Sequence, residues 1–263
     1  MPNHPKTKED EWRLALTQGE NVPIHLHHLF GFLPSNPRCK MCNAPFKGWG
    51  GIVMRMIGRP QSRKNPRYCE PCAFQEIGGA EVEISMLFAD IRGSTTIAES
   101  MSPIEFTKLI SGFYEVATDV LVRTDAFVDR LVGDEVIGLF VPAFAGQEHS
   151  KRAIEAAQQL VYRLENGAAQ KTRLPIGVGV HTGNAYVGVV QGAEEGISDF
   201  TALGDNVNIT ARLASMAGAG EILISDAAYL SSNLDLGNLE QRSLMLKGKS
   251  EAIQVHVLKT ETN

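Results

Sequence analysis

No apolar run in this 263-residue chain approaches the ~18 residues needed to cross a bilayer, so no membrane span and no membrane partner are expected. The opening stretch, Met1-Pro-Asn-His-Pro-Lys-Thr-Lys-Glu-Asp-Glu11, lacks the apolar segment of a signal peptide, and the expected location is cytoplasmic. Cysteine is scarce. There are four, and none follows Cys72. In a chain without an export signal a disulfide pairing of these is disfavoured. Residues 1–80 also hold too few apolar side chains to build a core unaided. Hydrophobic content over the whole chain is 43%, ordinary for a water-soluble globular protein.

The net charge of −5 hides an asymmetry. Residues 1–80 carry 11 Lys and Arg against 6 Asp and Glu, and residues 81–263 carry 14 against 24. Two chemically different parts meet near Gly78-Gly79, giving a module over 1–79 and a larger domain over 80–263.

The cysteines of the first part form two knuckles, Cys39-Lys-Met-Cys42 and Cys69-Glu-Pro-Cys72. A two-residue spacer lets both thiolates of a turn face one ion, and two such turns complete a tetrahedron. The expected occupant is one structural Zn²⁺, with an iron–sulfur cluster on the same ligands as the alternative. A metal would also supply the stability that a small core lacks. Four thiolates fill a zinc shell, so His25, His27 and His28 are read as packing or surface residues. Arg55, Arg59, Arg63, Lys64 and Arg67 lie between the knuckles without an aromatic stacking pattern. A solvated basic face, or a contact with the acidic second part, is expected there rather than nucleic acid.

In the second part, residues 84–90 alternate as a strand ending on Asp90. Ser102-Pro103-Ile104-Glu105 is a capping box with Pro at the first helical position. Phe106, Leu109, Ile110, Phe113, Val116, Ala117, Val120 and Leu121 then keep helical spacing. Runs 126–132 and 135–141 join at Gly133-Asp134 as a hairpin. Ala153, Ile154, Ala157, Leu160, Val161 and Leu164 mark a second amphipathic helix, and a second hairpin is expected over Gly183-Asn184, between 176–182 and 185–191. The order β-α-β-β-α-β describes an α+β, ferredoxin-like split βαβ sandwich. Its strands bring Asp90, at a strand end, beside Asp134, at a hairpin tip. Two carboxylates so placed repel unless a cation lies between them, and Mg²⁺ or Mn²⁺ with nucleotide phosphates suits oxygen ligands. Asn208 and Arg212, four residues apart, share one helix face. Together these residues form a kit for chemistry on a nucleoside triphosphate.

Three motifs in order, Phe88-Ala-Asp90-Ile91-Arg-Gly-Ser-Thr95, Asp129-Arg-Leu-Val-Gly-Asp134 and Gly204-Asp-Asn-Val-Asn208-Ile-Thr-Ala-Arg212, resemble the catalytic domain of class III nucleotide cyclases, the adenylate and guanylate cyclases. The resemblance covers residues 82–258. It implies that Asp90 and Asp134, with the backbone carbonyl of Ile91, hold two Mg²⁺ or Mn²⁺ ions. It implies that the N–H groups of Gly93, Ser94 and Thr95 face the triphosphate at a helix start. The ribose 3′-hydroxyl then attacks its own α-phosphate and expels pyrophosphate. Asn208 orients the ribose, Arg212 neutralises charge on the α-phosphate, and Lys247 of Leu246-Lys247-Gly248-Lys249 binds the β- and γ-phosphates. Metals and the Asn208–Arg212 pair come from opposite subunits in such enzymes. A head-to-tail homodimer with two shared sites follows, with residues 191–200 crossing to the partner and the 1–79 module regulatory or dimerising.

Base choice departs from the typical pattern. Arg130 stands where adenylate cyclases carry Lys, and Thr201 where they carry Asp. Thr201 resembles a Thr- or Ser-type subclass associated with bicarbonate responsiveness. Arg130 can donate to adenine N1 or to guanine O6 or N7, and Thr201 can accept from adenine or donate to guanine. Guanylate cyclases resembling this chain would carry Glu at position 130. ATP is the expected substrate, with GTP the alternative. A silent nucleotide-sensing or nucleic-acid-binding protein is a competing reading, opposed by the intact Asp90, Asp134, Asn208 and Arg212. A diguanylate cyclase is a third, opposed by the missing Gly-Gly-Asp/Glu-Glu-Phe signature.

Overall fold

The structure, a computed structural model, describes residues 7–19, 30, 37–39, 42, 44–63, 66, 68–73, 78–165, 173–191 and 198–259. His25, His27, His28, Lys64, Arg67 and the middle of the proposed crossing arm lie outside the described residues. The chain forms two compact units, Met1–Val82 with Tyr186–Leu203, and Glu83–Ala185 with Gly204–Asn263.

The first unit contains helix α1 (Lys8–Gln18), whose Thr7 and Asp10 form a capping box, and helix α2 (Gly48–Met56). A four-residue helix, α3 (Glu70–Ala73), carries Cys72. Trp12 of α1 is buried, and a side chain at Gly78 would collide with its indole nitrogen at 2.6 Å.

The second unit takes most of strand β1 (Gly78–Ile91), then α4 (Ser94–Glu99) and α5 (Pro103–Arg123). Next come β2 (Phe127–Val132), β3 (Glu135–Phe140), α6 (Pro142–Ala145) and α7 (His149–Glu165). Strand β4 (Ile176–Gln191) leads by way of β5 (Ser198–Leu203) to α8 (Asp205–Met216). The chain closes with β6 (Glu221–Ser225), α9 (Asp226–Ser232), β7 (Glu240–Leu244) and β8 (Ile253–Lys259). The strand order is β2-β3-β1-β4-β6-β8-β7. Pairing is antiparallel for β2–β3, β1–β3, β6–β8 and β7–β8, and parallel for β4–β6.

The capping box at Ser102 and Glu105 forms as the sequence predicts, with Pro103 at the first helical turn. Helices α5 and α7 bury Phe113, Val120, Leu121, Ile154, Leu160 and Val161 against one face of the sheet, where Leu87, Val136, Val178 and Ile222 point. Leu223, one residue out of phase with Ile222, points to the other face and meets Ile209 and Leu213 of α8. Strand β6 thus feeds two cores by its period of two.

The hairpin expected over Gly183-Asn184 is absent. Strand β4 runs unbroken for 16 residues, and neither residue takes the positive φ such a turn requires. The reason is packing. A Cβ at Gly177 would lie 2.7 Å from the Ala217 carbonyl oxygen, at Gly179 2.4 Å from the Ala214 nitrogen, and at Gly183 2.7 Å from the Asn206 side chain. Alternate residues of β4 are glycine so that α8 can lie against the strand. In the first unit, the second half of β4 instead forms an antiparallel ladder with β5, from Tyr186–Leu203 to Gln191–Ser198.

Candidate active site

Asp90 and Asp134 are held by one piece of backbone. Asp90 pairs with Glu135 in the β1–β3 ladder, and the Ile91 amide donates to the Asp134 carbonyl at 3.1 Å. Asp134 lies on the turn between β2 and β3; β3 is interior, but β2 ends the strand order. Asp90 lies at the end of the neighbouring interior strand β1. The turn is braced by Tyr114 of α5, whose hydroxyl donates to the Gly133 carbonyl at 2.8 Å. Burial and then the neighbouring Asp134 charge push the Glu135 carboxyl above the ordinary carboxylate range. Two hard oxygen donors carried by one unit of backbone, beside an acid already disfavoured as an anion, suit a divalent cation.

Arg92 is a residue the motif reading did not single out. Its Nη2 makes an ion pair with Asp90, and its Nη1 donates to the Ser215 carbonyl at 2.8 Å. Its Nε is buried without a hydrogen-bond partner. The guanidinium therefore fastens the Asp90 strand end to the C-terminal end of α8. Gly93, at φ 69°, is the N-cap of α4, and Ser94 and Thr95 open that helix. Arg130 projects from β2 into solvent, 3.5 Å from the carboxylate of Asp129. Thr201 is buried on β5, opposite Gly188, in the first unit.

Asn208 is exposed in the first turn of α8 and Arg212 follows one turn later. A Cβ at Gly248 would be 3.8 Å from an Arg212 guanidinium nitrogen, which places the Leu246–Lys249 loop beside Arg212. Leu246 is buried in the α8 core and anchors that loop, leaving Lys247 exposed. Lys249 makes an ion pair with Asp205. Beneath the helix start, His181 Nε2 lies 2.9 Å from Asn206 Oδ1, and Nδ1 lies 2.8 Å from Ser225 Oγ. Asn206 Nδ2 donates to the Asn184 carbonyl at 2.8 Å. Burial holds the His181 imidazole below its ordinary value, so the neutral ring is favoured. The β4 face that reads Gly177, Gly179, His181, Gly183 is the seat of α8; its alternation was the available signal, read instead as a turn.

Asn208 stands at the end of α8 opposite Ser215. Seven residues at 1.5 Å rise separate them by about 10 Å along the axis. Asp90, Ile91 and Asp134 thus share one unit of backbone, and Arg212, one turn along α8 from Asn208, lies beside the loop that carries Lys247.

In the first unit Cys39, Cys42, Cys69 and Cys72 are all buried, with their sulfurs within 4.8 Å of one another. Cys42 Sγ and Cys69 Sγ are 3.5 Å apart. A tetrahedral ion with bonds of ~2.3 Å separates its sulfurs by about 3.8 Å, so the cluster fits Zn²⁺. Hydrogen bonding with Cys39 lowers the Cys42 thiol and raises that of Cys72; sulfurs this close cannot all ionise without a cation. The Cys69 amide donates to Cys39 Sγ at 3.3 Å. Arg59, among the five basic residues noted in the sequence, points its Nη1 at Cys42, Cys69 and Cys72 at 3.6, 3.8 and 4.0 Å. Its guanidinium also lies over the Phe30 ring, 5.6 Å from the centroid. It is a sulfur-facing cation, not part of a solvated face.

Residues 79–260 match the family model of the adenylate and guanylate cyclase catalytic domain. Adenylate cyclase 1 of Rhizobium meliloti (strain 1021) is 30% identical over 181 residues, 66% of this chain and 27% of that protein. Adenylate cyclase of Anabaena cylindrica is 28% identical over 199 residues, 70% of this chain and 38% of that protein. The match therefore spans less than half the length of either relative. Among solved structures, the guanylyl cyclase Cya2 superposes with a TM-score of 0.63 at 24% identity, covering 69% of this chain and 93% of that one. The adenylyl cyclase CyaB from P. aeruginosa gives 0.62 at 24%, covering 70% and 98%. The mixed α+β sheet is thus the cyclase-domain fold, and from residue 79 to 260 this chain belongs to the adenylate and guanylate cyclase catalytic domain family.

Proposed function

We propose that the chain is an adenylate cyclase that converts ATP to 3′,5′-cyclic AMP and pyrophosphate at two shared sites of a head-to-tail homodimer. The observation that supports this reading is the backbone unit that joins Asp90 to Asp134 within the cyclase-family match over residues 79–260. One chain offers two half-sites, and a second copy in antiparallel register completes both. We take residues 80–263 as the catalytic domain, with a ferredoxin-like split βαβ at its centre, and residues 1–79 as a cytoplasmic regulatory or dimerisation module. Nucleic acid is not its partner in this reading.

Each side chain has a task. Asp90, Asp134 and the Ile91 carbonyl would hold two Mg²⁺ or Mn²⁺ ions, which lower the pKa of the 3′-hydroxyl and brace an in-line displacement when bound. The N–H groups of Gly93, Ser94 and Thr95 hold triphosphate oxygens. Asn208 fixes the ribose so that its 3′-oxygen faces the α-phosphorus. The new O–P bond forms as the bond to pyrophosphate breaks, and the 3′ proton leaves to solvent. Arg212 offsets the charge that gathers on the α-phosphoryl oxygens. Lys247 holds the departing pyrophosphate. Arg130 and Thr201 read the base. Cys39, Cys42, Cys69 and Cys72 would hold one Zn²⁺, which supplies folding free energy and no chemistry, since four thiolates leave no open position.

A guanylate cyclase is the second reading, favoured by the donor-only Arg130, which can also meet guanine O6. One assay decides between them. Purified protein with Mn²⁺ is given ATP or GTP, and the products are identified by mass spectrometry. Cyclic AMP formed faster than cyclic GMP supports the proposal; cyclic GMP formed faster selects the second reading; neither product overturns both.

A further inference from the structure

Helix α2 is docked inside out. Its buried residues are Gly50, Gly51 and Met54. Its large apolar residues face outward: Trp49 is 81% exposed, Met56 82% and the following Ile57 54%, and Ile52 and Val53 are exposed too. At 3.6 residues per turn these five occupy one continuous arc, opposite the buried three. The orientation is enforced. A Cβ at Gly51 would stand 2.4 Å from the Phe46 carbonyl carbon, so only the glycine face can press against the chain there. An amphipathic helix of a globular protein normally buries its large face. An exposed apolar arc of this kind marks an interaction surface.

Charge selects the occupant. From residue 21 to residue 69 the sequence has eight Lys and Arg and no Asp or Glu. Lys47, the N-cap of α2, and Arg55, on the flank of the arc, are exposed, as is Arg63. A second copy of the same face would bring like charges together. Nucleic acid would satisfy the cations and leave five apolar side chains in water. An anionic lipid surface satisfies both. Apolar side chains enter the boundary between headgroups and acyl chains, while Lys and Arg reach the phosphates. No described helix is long and apolar enough to cross a membrane, so attachment would be to the surface. We propose that α2 is a peripheral membrane anchor that docks the N-terminal module on anionic phospholipid. This inference is independent of the cyclase reading.

The test uses the full chain and vesicles of phosphatidylcholine, alone or with an equal part of phosphatidylglycerol. Of the two tryptophans Trp12 is buried, so Trp49 reports the face. The protein should sediment with the anionic vesicles, with a blue shift of Trp49 emission, and should be released by high salt. Met56→Glu, a change at an exposed site outside the cyclase machinery, should weaken partition about tenfold or more while leaving nucleotide turnover intact. Failure to sediment, or equal sedimentation of Met56→Glu, overturns the proposal. So does Trp49 emission that is already blue-shifted and shielded from quencher without vesicles, which would mean the face is covered by protein. A change in oligomeric state on Met56→Glu without lipid would assign it to a protein interface instead.

Discussion

The Ile91 amide donates to the Asp134 carbonyl at 3.1 Å, which locks the two carboxylate motifs into one unit of backbone. Asp134→Ala should therefore leave the fold intact, because the turn is held by main-chain bonds and by Tyr114 rather than by the Asp134 side chain. Turnover should fall about 10³-fold or more, as for loss of a key electrostatic group in a preorganised site. The measurement is kcat with Mn²⁺ alongside thermal unfolding. Activity within tenfold of the parent, with folding unchanged, would remove Asp134 from the metal assignment.

Two inactive variants should restore each other. Asp90→Ala keeps a good Asn208–Arg212 half-site, and Arg212→Ala keeps a good carboxylate half-site. Mixed under conditions that exchange subunits, they should regain one working site per heterodimer. Verified heterodimers that stay inactive, with both variants folded, would rule out the shared-site arrangement.

His181 makes a prediction in pH. Its neutral ring sits between Asn206 and Ser225, with Asp205 and Lys249 the charged groups acting on it, and burial holds its pKa below 6.5. A group with a depressed folded-state value is more readily protonated when unfolded. Its contribution to stability is complete above about pH 6.5 and is lost as pH falls below that. His149, also buried and lowered, acts with the same sign. His181→Asn should thus show a shallower loss of Tm between pH 7 and pH 5 than the parent, but not a flat one. An unchanged pH slope would show that His181 does not titrate with folding.

The four-cysteine cluster should hold about one zinc per chain. Arg59 faces three of the sulfurs and offsets part of the net negative charge that four thiolates leave on a divalent ion. Arg59→Gln should weaken zinc retention about 10- to 100-fold in competition with a chromophoric chelator, and Arg59→Lys should recover part of it. Elemental analysis showing stoichiometric iron and sulfide, with a visible absorption band, would replace zinc with an iron–sulfur cluster.

Local chemistry carried most of what the sequence disclosed. Ser102, Pro103 and Glu105 specify a helix start through bonds within four residues, and the cysteine spacing specifies a cluster through turn geometry alone. Gly183 and Asn184 misled because a turn glycine and a close-packing glycine look alike in one dimension. Gly183 is there to admit Asn206, a contact 23 residues away in the chain. Arg92 and Arg59 were invisible as site residues for a related reason. Arg92 sits inside the first motif and Arg59 between the knuckles, but neither position carries a periodicity, and only the fold reveals that one meets Asp90 and the other three sulfurs.

In the proposed site, base choice rests on two residues. Arg130 projects from β2 and Thr201 is buried on β5. Arg is a donor only, so it suits adenine N1, an acceptor, and opposes guanine N1–H. It can still meet guanine O6 if the base shifts. A buried partner left unmet costs ~1–3 kcal/mol, which corresponds to about 5- to 150-fold discrimination. The expected result is a preference for ATP over GTP within that range. Arg130→Lys should retain cyclic AMP synthesis, and Arg130→Glu, which accepts from guanine N1–H, should move the ratio toward GTP. The check is kcat/KM for both nucleotides with Mn²⁺ and with Mg²⁺. A parent enzyme that favours GTP would overturn the adenylate reading and leave the cyclase family assignment standing, because that assignment rests on the match over residues 79–260 and not on Arg130 or Thr201.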